Sequence, residues 1–81
     1  AQFRAADDPE RSLALARRFV AAKVANQRTI LRRHRSEEKQ ALERLAALRE
    51  DALRAGSVAE LLGLEGTAAR IYFQHFPSIL K

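Results

Sequence analysis

The sequence contains no cysteine, methionine or tryptophan, and only three glycines, two prolines, one tyrosine and four phenylalanines. Without cysteine, neither a disulfide framework nor a thiolate-bound zinc holds the chain together, so its elements must bury one another or a partner. No long uninterrupted apolar run is present, and Asp7 and Asp8 stand where a secretory signal would be apolar. Nothing therefore marks the chain for a membrane, and a cytoplasmic location is the simplest expectation. A length of 81 residues suits one small domain with a modest core and argues against a deep, self-contained active site.

What the sequence has in excess is positive charge. Fifteen Lys and Arg against ten Asp and Glu give a formal net charge of +5, and most of the excess lies between Arg11 and Arg35. Such clustering suits a polyanion, and it suits the solvated face of a long helix equally well.

The few breakers divide the chain into helices. Asp8 before Pro9 is an N-capping side chain followed by a proline at the first helical position. From Glu10 to about Arg33 the residues Leu13, Ala16, Val20, Val24, Gln27 and Leu31 recur at helical spacing, and Phe19, Ala22 and Ile30 widen that stripe. Arg11, Arg18, Arg28 and Arg32 fall toward the other side and form a basic outer face. Ser36 before Glu37 and Glu38 predicts the start of a second helix. Its seam is Ala41, Leu45, Leu48 and Ala52, flanked by Leu42 and Leu53, with Glu50 and Arg54 spaced as an ion pair and Gly56 as the stop. The two form an antiparallel hairpin. Ser57 and Glu60 have capping-box spacing, which predicts a short helix interrupted by Gly63, then a fourth helix over Glu65 to His75 stopped by Pro77. The fold class expected is all-α, a helical hairpin plus two shorter helices, with no two-residue alternation to support a strand.

Chemistry concentrates in Leu61 to Phe73. On a helix Glu65 lines up with Ala69, Tyr72 and Phe76, so its carboxylate faces packing and needs a partner, either a divalent metal or a basic side chain. Gly66, Ala68 and Ala69 leave room for a close approach. The plainer alternative makes Glu65 an acid favoured in the first turn of its helix by the dipole. Lys23 and Gln27 fall within or beside the first helix's apolar stripe, and Asn26 lies along the line of Phe19, Ala22 and Ile30. Lys23 there either contacts DNA phosphate or an acid near a metal, or joins a purely structural hydrogen-bond set within the bundle. Asn26 and Gln27 either brace the backbone around the site or form a structural hydrogen-bond set within the bundle. Arg70 reaches a DNA strand, pairs with an acid or is solvated. Tyr72 and Phe73 are expected in the core.

The block Gly63, Leu64, Glu65, Gly66, Ala68, Ala69, Tyr72 and Phe73 resembles the signature of the CRISPR-associated endonuclease/integrase family of spacer acquisition. Ala16-Arg17, Lys23, Asn26-Gln27 and Leu31 are similar to that family's long helix, and Gln2 to Arg4 to the segment leading into it. The resemblance implies that residues 1–81 are the first portion of an all-helical catalytic domain that follows a β-rich domain. It further implies a homodimer, a small ferredoxin-like partner subunit, and DNA substrates, the protospacer and the CRISPR repeat, joined as new spacers in antiviral defence. A glutamate, a histidine and an aspartate hold magnesium or manganese in the family, and only the glutamate has a counterpart here. Glu65 is thereby the metal-binding, catalytic candidate, with Lys23 and Arg70 as candidates for nucleic acid and Asn26 and Gln27 as supports. His34 and His75 do not match, and His75 suits the C-terminal end of a helix dipole. The family reading makes the chain inert by itself. Its alternative is a non-catalytic helical module that binds DNA or dimerises.

Overall fold

The computed structural model describes residues 8–75. They form three helices, α1 (Pro9–His34), α2 (Lys39–Leu53) and α3 (Val58–Gln74). The all-α expectation and the α1–α2 hairpin hold.

Helix α1 starts as its sequence requires. Asp8 accepts a hydrogen bond from the Arg11 N–H at 3.1 Å, and Pro9 occupies the first turn, where its missing N–H costs nothing. At the other end Arg32, Arg33 and His34 stand in the last turn, where cations meet the negative end of the dipole.

The second helix begins later than Ser36 predicts. Its N-cap is Glu38, without a side-chain capping bond. A tight turn takes up the intervening residues. The Glu38 N–H donates to Arg35 O at 3.0 Å and the Lys39 N–H to Glu37 O at 2.9 Å. The Arg35 guanidinium pairs with Glu37 at 3.1 Å and Glu38 at 3.5 Å, which draws these acids into the turn. Glu50 pairs with neighbouring Arg49 at 2.9 Å and Arg54 with Asp51 at 3.6 Å, in place of the expected Glu50–Arg54 pair. Nor does Gly56 stop α2 in a left-handed conformation, since no described glycine has positive φ.

The expectation of two shorter helices is corrected, because α3 runs unbroken through Gly63 and Gly66. An interior glycine costs about 1 kcal/mol relative to alanine, and tertiary packing outweighs that. Leu61, Ala68, Ile71 and Tyr72 are buried along α3, with Leu64 packed against them. Thr67 also donates its hydroxyl to Gly63 O at 2.9 Å. The helix starts on Ser57, whose Oγ accepts from the Glu60 N–H at 3.1 Å. Glu60 reaches back to the Gly56 N–H at 3.0 Å. Ser57→Ala is therefore expected to lower stability by about 1 kcal/mol, read as a shifted denaturant midpoint. The helix ends on the His75 N–H bonded to Ile71 O at 3.2 Å, with ring Nδ1 3.0 Å from the same carbonyl. His75 thus has the helix-terminal role expected of it. The stop at Pro77, Phe76 and the segment Gln2 to Arg4 lie outside the described residues.

Leu31, Leu45, Leu61, Ile71 and Val24 are the largest fully buried side chains and join all three helices in one core. Two arginines reinforce the hairpin. Arg17 Nε donates to Ala55 O at 2.7 Å, and Arg28 Nε to Leu42 O at 3.0 Å. This corrects the placement of Arg28 on the outer face, because its guanidinium is turned to α2. Arg11, Arg18, Arg32 and Arg33 remain exposed. The widened stripe holds at Ile30, which packs against the core, and is corrected at its other two residues. Phe19 is 67% exposed and Ala22 is exposed, so the buried face of α1 is Val20, Ala21, Val24 and Leu31. No described helix is long and apolar enough to cross a membrane.

Candidate functional site

Glu65 follows buried Leu61 by one turn and precedes buried Ala68 and Tyr72 by one and two, so packing of α3 turns its carboxylate toward α1. Lys23 stands beside buried Val24 on α1 and reaches the same space. Its Nζ lies 2.5 Å from Glu65 Oε2, which is the distance of a strong charge-assisted hydrogen bond. The side chains are 25% exposed for Glu65 and 48% for Lys23. A pair this open to water contributes about 1 kcal/mol or less. A basic side chain, one of the two kinds of partner that chemistry allows Glu65, is thus in contact with it.

The other expected residues are less closely associated. Asn26 is exposed and Gln27 half-buried, and neither has a side-chain hydrogen bond among the described residues. The bracing bonds expected of them are therefore not formed there. Arg70 is exposed, makes no ion pair among the described residues, and stands about 140° around α3 from Glu65 at 100° per residue. It does not join the Lys23–Glu65 pair. Tyr72 is buried as expected, whereas Phe73 is 40% exposed and packs edge-on against Tyr72 with ring centroids 5.2 Å apart. An offset of one residue, about 100° around the helix, separates the inward from the outward ring.

Phe73 has company. Val58, Leu62 and Phe73 on α3 and Leu15 and Phe19 on α1 are the exposed large apolar residues of these two helices. By helical spacing they fall on the flanks that also carry Glu65 and Lys23. The pair thus lies on a seam between two open apolar banks.

As a metal site the segment is incomplete. Among the described residues no three His, Cys, Asp or Glu side chains come together, and His75 instead faces Glu38, with Nε2 3.6 Å from Oε2. Glu65 fits a hard cation as one oxygen donor, and such ions require several. Sequence reasoning missed the inward roles of Arg17 and Arg28, whose spacing resembles that of the exposed arginines. For the Lys23–Glu65 contact the available signal was two lone opposite charges, each beside an apolar stripe of a different helix.

The chain's likenesses fit these features. The family model for CRISPR associated protein Cas1 matches residues 1–81. A CRISPR-associated exonuclease Cas4/endonuclease Cas1 fusion from Rhodospirillum rubrum is 47% identical over 83 residues, covering 98% of this chain and 14% of the relative. The fusion of the same description from Geobacter sulfurreducens is 45% identical over 87 residues, covering 99% and 16%. A CRISPR-associated endonuclease Cas1 from Thermus thermophilus is 42% identical over 80 residues, covering 99% and 23%. No solved structure matches the chain. The three-helix unit with its inward glutamate is thus a segment of a CRISPR-associated protein. It belongs to the Cas1 family, and it spans between 14% and 23% of the length of these curated relatives.

Proposed function

We propose that this segment supplies a metal-binding glutamate, Glu65, to a DNA endonuclease/integrase that inserts new spacers into CRISPR arrays in the cytoplasm. The observation that carries this reading is the half-buried Glu65 carboxylate, turned inward from α3 and held at 2.5 Å by Lys23 rather than solvated like an ordinary helix-start acid. Magnesium or manganese, when bound, supplies Lewis-acid activation of an attacking hydroxyl and a leaving oxygen at a phosphodiester. The segment's own part is to orient one carboxylate oxygen, with the packed face of α3 fixing its direction. The remaining ligands come from other parts of the protein, and the open apolar banks beside Glu65 are the surface those parts cover. DNA, as protospacer and repeat, is the substrate, and a second copy and a small ferredoxin-like subunit are the partners. The segment alone is inert, because one carboxylate leaves most of a cation's shell to water.

The test is manganese-dependent cutting and joining of DNA by the full-length protein. Glu65→Ala is expected to reduce both by roughly a hundredfold or more, with folding and DNA binding retained. A second reading draws on the exposed Arg11, Arg18, Arg32 and Arg33 of α1, none ion-paired among the described residues. It makes the segment a phosphate-gripping module without a metal. Activity unchanged in Glu65→Ala, alongside salt-sensitive DNA binding, would favour this second reading.

A further inference from the structure

The Lys23–Glu65 pair differs in kind from the two long-range arginine contacts that α1 makes. Arg17 and Arg28 are part-buried and bonded to backbone carbonyls, which are permanent acceptors. Lys23 is half exposed and bonded to a carboxylate, an acceptor with other uses. Its ammonium is a compact, strongly hydrated charge on a four-carbon stem with freely turning donors. It is therefore free to leave, and little stability is lost when it does.

We propose that Lys23 is an exchangeable counter-ion of Glu65. It holds the carboxylate while no metal is present, yields it to a divalent cation, and then turns its freed ammonium to a DNA phosphate. This inference rests on the reading of Glu65 as a metal ligand. An ammonium 2.5 Å from Oε2 occupies the position from which a cation would approach that oxygen, and two positive charges so close repel strongly at a partly desolvated site. Occupation by one excludes the other. Without Lys23, a half-buried carboxylate on a seam between apolar banks would carry an uncompensated charge; with it, the empty site stays neutral. A DNA phosphate supplies the anion that the displaced ammonium then lacks. Metal and DNA are thereby coupled. DNA that takes Lys23 removes the competitor and strengthens metal binding, and by reciprocity the metal strengthens DNA binding.

The experiment uses the full-length protein and reads Mn²⁺ binding from the paramagnetic resonance of free Mn²⁺, with and without a short DNA duplex. Lys23→Met keeps the apolar stem and removes the charge. It is expected to bind Mn²⁺ roughly threefold to tenfold more tightly than wild type without DNA, and to gain less from added DNA. Lys23→Arg keeps the charge and is expected to stay near wild type. Lys23→Gln, the second neutral variant, is read the same way if the methionine variant fails to fold. Unchanged or weaker Mn²⁺ binding in a folded neutral variant overturns the proposal, since a purely structural lysine gives that result. Glu65→Gln separates the two levels of the argument. It is expected to bind Mn²⁺ poorly with or without DNA, and binding as tight as wild type would remove Glu65 from the metal site altogether.

Discussion

Leu45→Ala is expected to destabilise the segment by about 2–5 kcal/mol. Leu45 is fully buried midway along α2, in the core cluster that all three helices share. Shortening it removes three carbons and leaves a cavity that neighbours on rigid helices fill only in part. A chain of 81 residues has about 4–12 kcal/mol to lose in total, by the usual 0.05–0.15 kcal/mol per residue. The reduction is thus a large share of what holds it. Denaturant melts followed by far-ultraviolet circular dichroism read the loss as a lower midpoint with an unchanged slope. Leu53 provides the control, being the same residue type on the same helix but 39% exposed. Leu53→Ala is expected to cost under about 1 kcal/mol, and equal losses at the two positions would contradict the burial of α2.

The second large effect changes sign with context. Phe19→Lys combined with Leu62→Lys is expected to keep the isolated segment folded and reduce its self-association. The two side chains are 67% and 62% exposed, so the monomer loses little by their removal. The patch they share with Leu15, Val58 and Phe73 loses the continuous apolar surface that favours sticking. On the proposal that other parts of the full-length protein cover the patch, the same pair of substitutions is expected to cost several kcal/mol there, because two ammonium groups would be desolvated. Sedimentation of the segment and thermal melting of the long protein provide the two readouts. A wild-type segment that stays monomeric at high concentration would show that the patch does not associate.

Much of this was legible in the sequence wherever a local rule sufficed. Asp8 with Pro9 and Ser57 with Glu60 start their helices as their residue types require, and the apolar periods give the hairpin. The failures share a cause. Gly63 read as a break because glycine is a poor helix former, but the core contacts of Leu61, Ala68 and Ile71 extend on both sides of it. Phe19 and Phe73 read as inward because they are apolar, and they are exposed on the flanks of the packed faces. In each case a property of one residue was outweighed by packing that involves another part of the chain. At the site, Glu65 was identifiable as an acid needing a partner. That the partner is Lys23, 42 residues away, depends on how α1 and α3 pack, which no local pattern encodes. Arg17 and Arg28 were hidden for the opposite reason, since arginine spacing alone does not distinguish a guanidinium aimed at a carbonyl from one in water.

A methyl group placed on Gly66 would meet nothing within 4 Å, and the same is true of Gly63. Alanine at either position would make α3 more stable by about 1 kcal/mol, so as a free-standing helix this one is under-optimised. Gly66 sits one turn from Leu62 and two from Phe73 along the uncovered apolar bank beside Glu65, and the space above its backbone is open. Glycine there forgoes helix stability and leaves the backbone of α3 bare on that side, open to a closer approach than any side chain would permit.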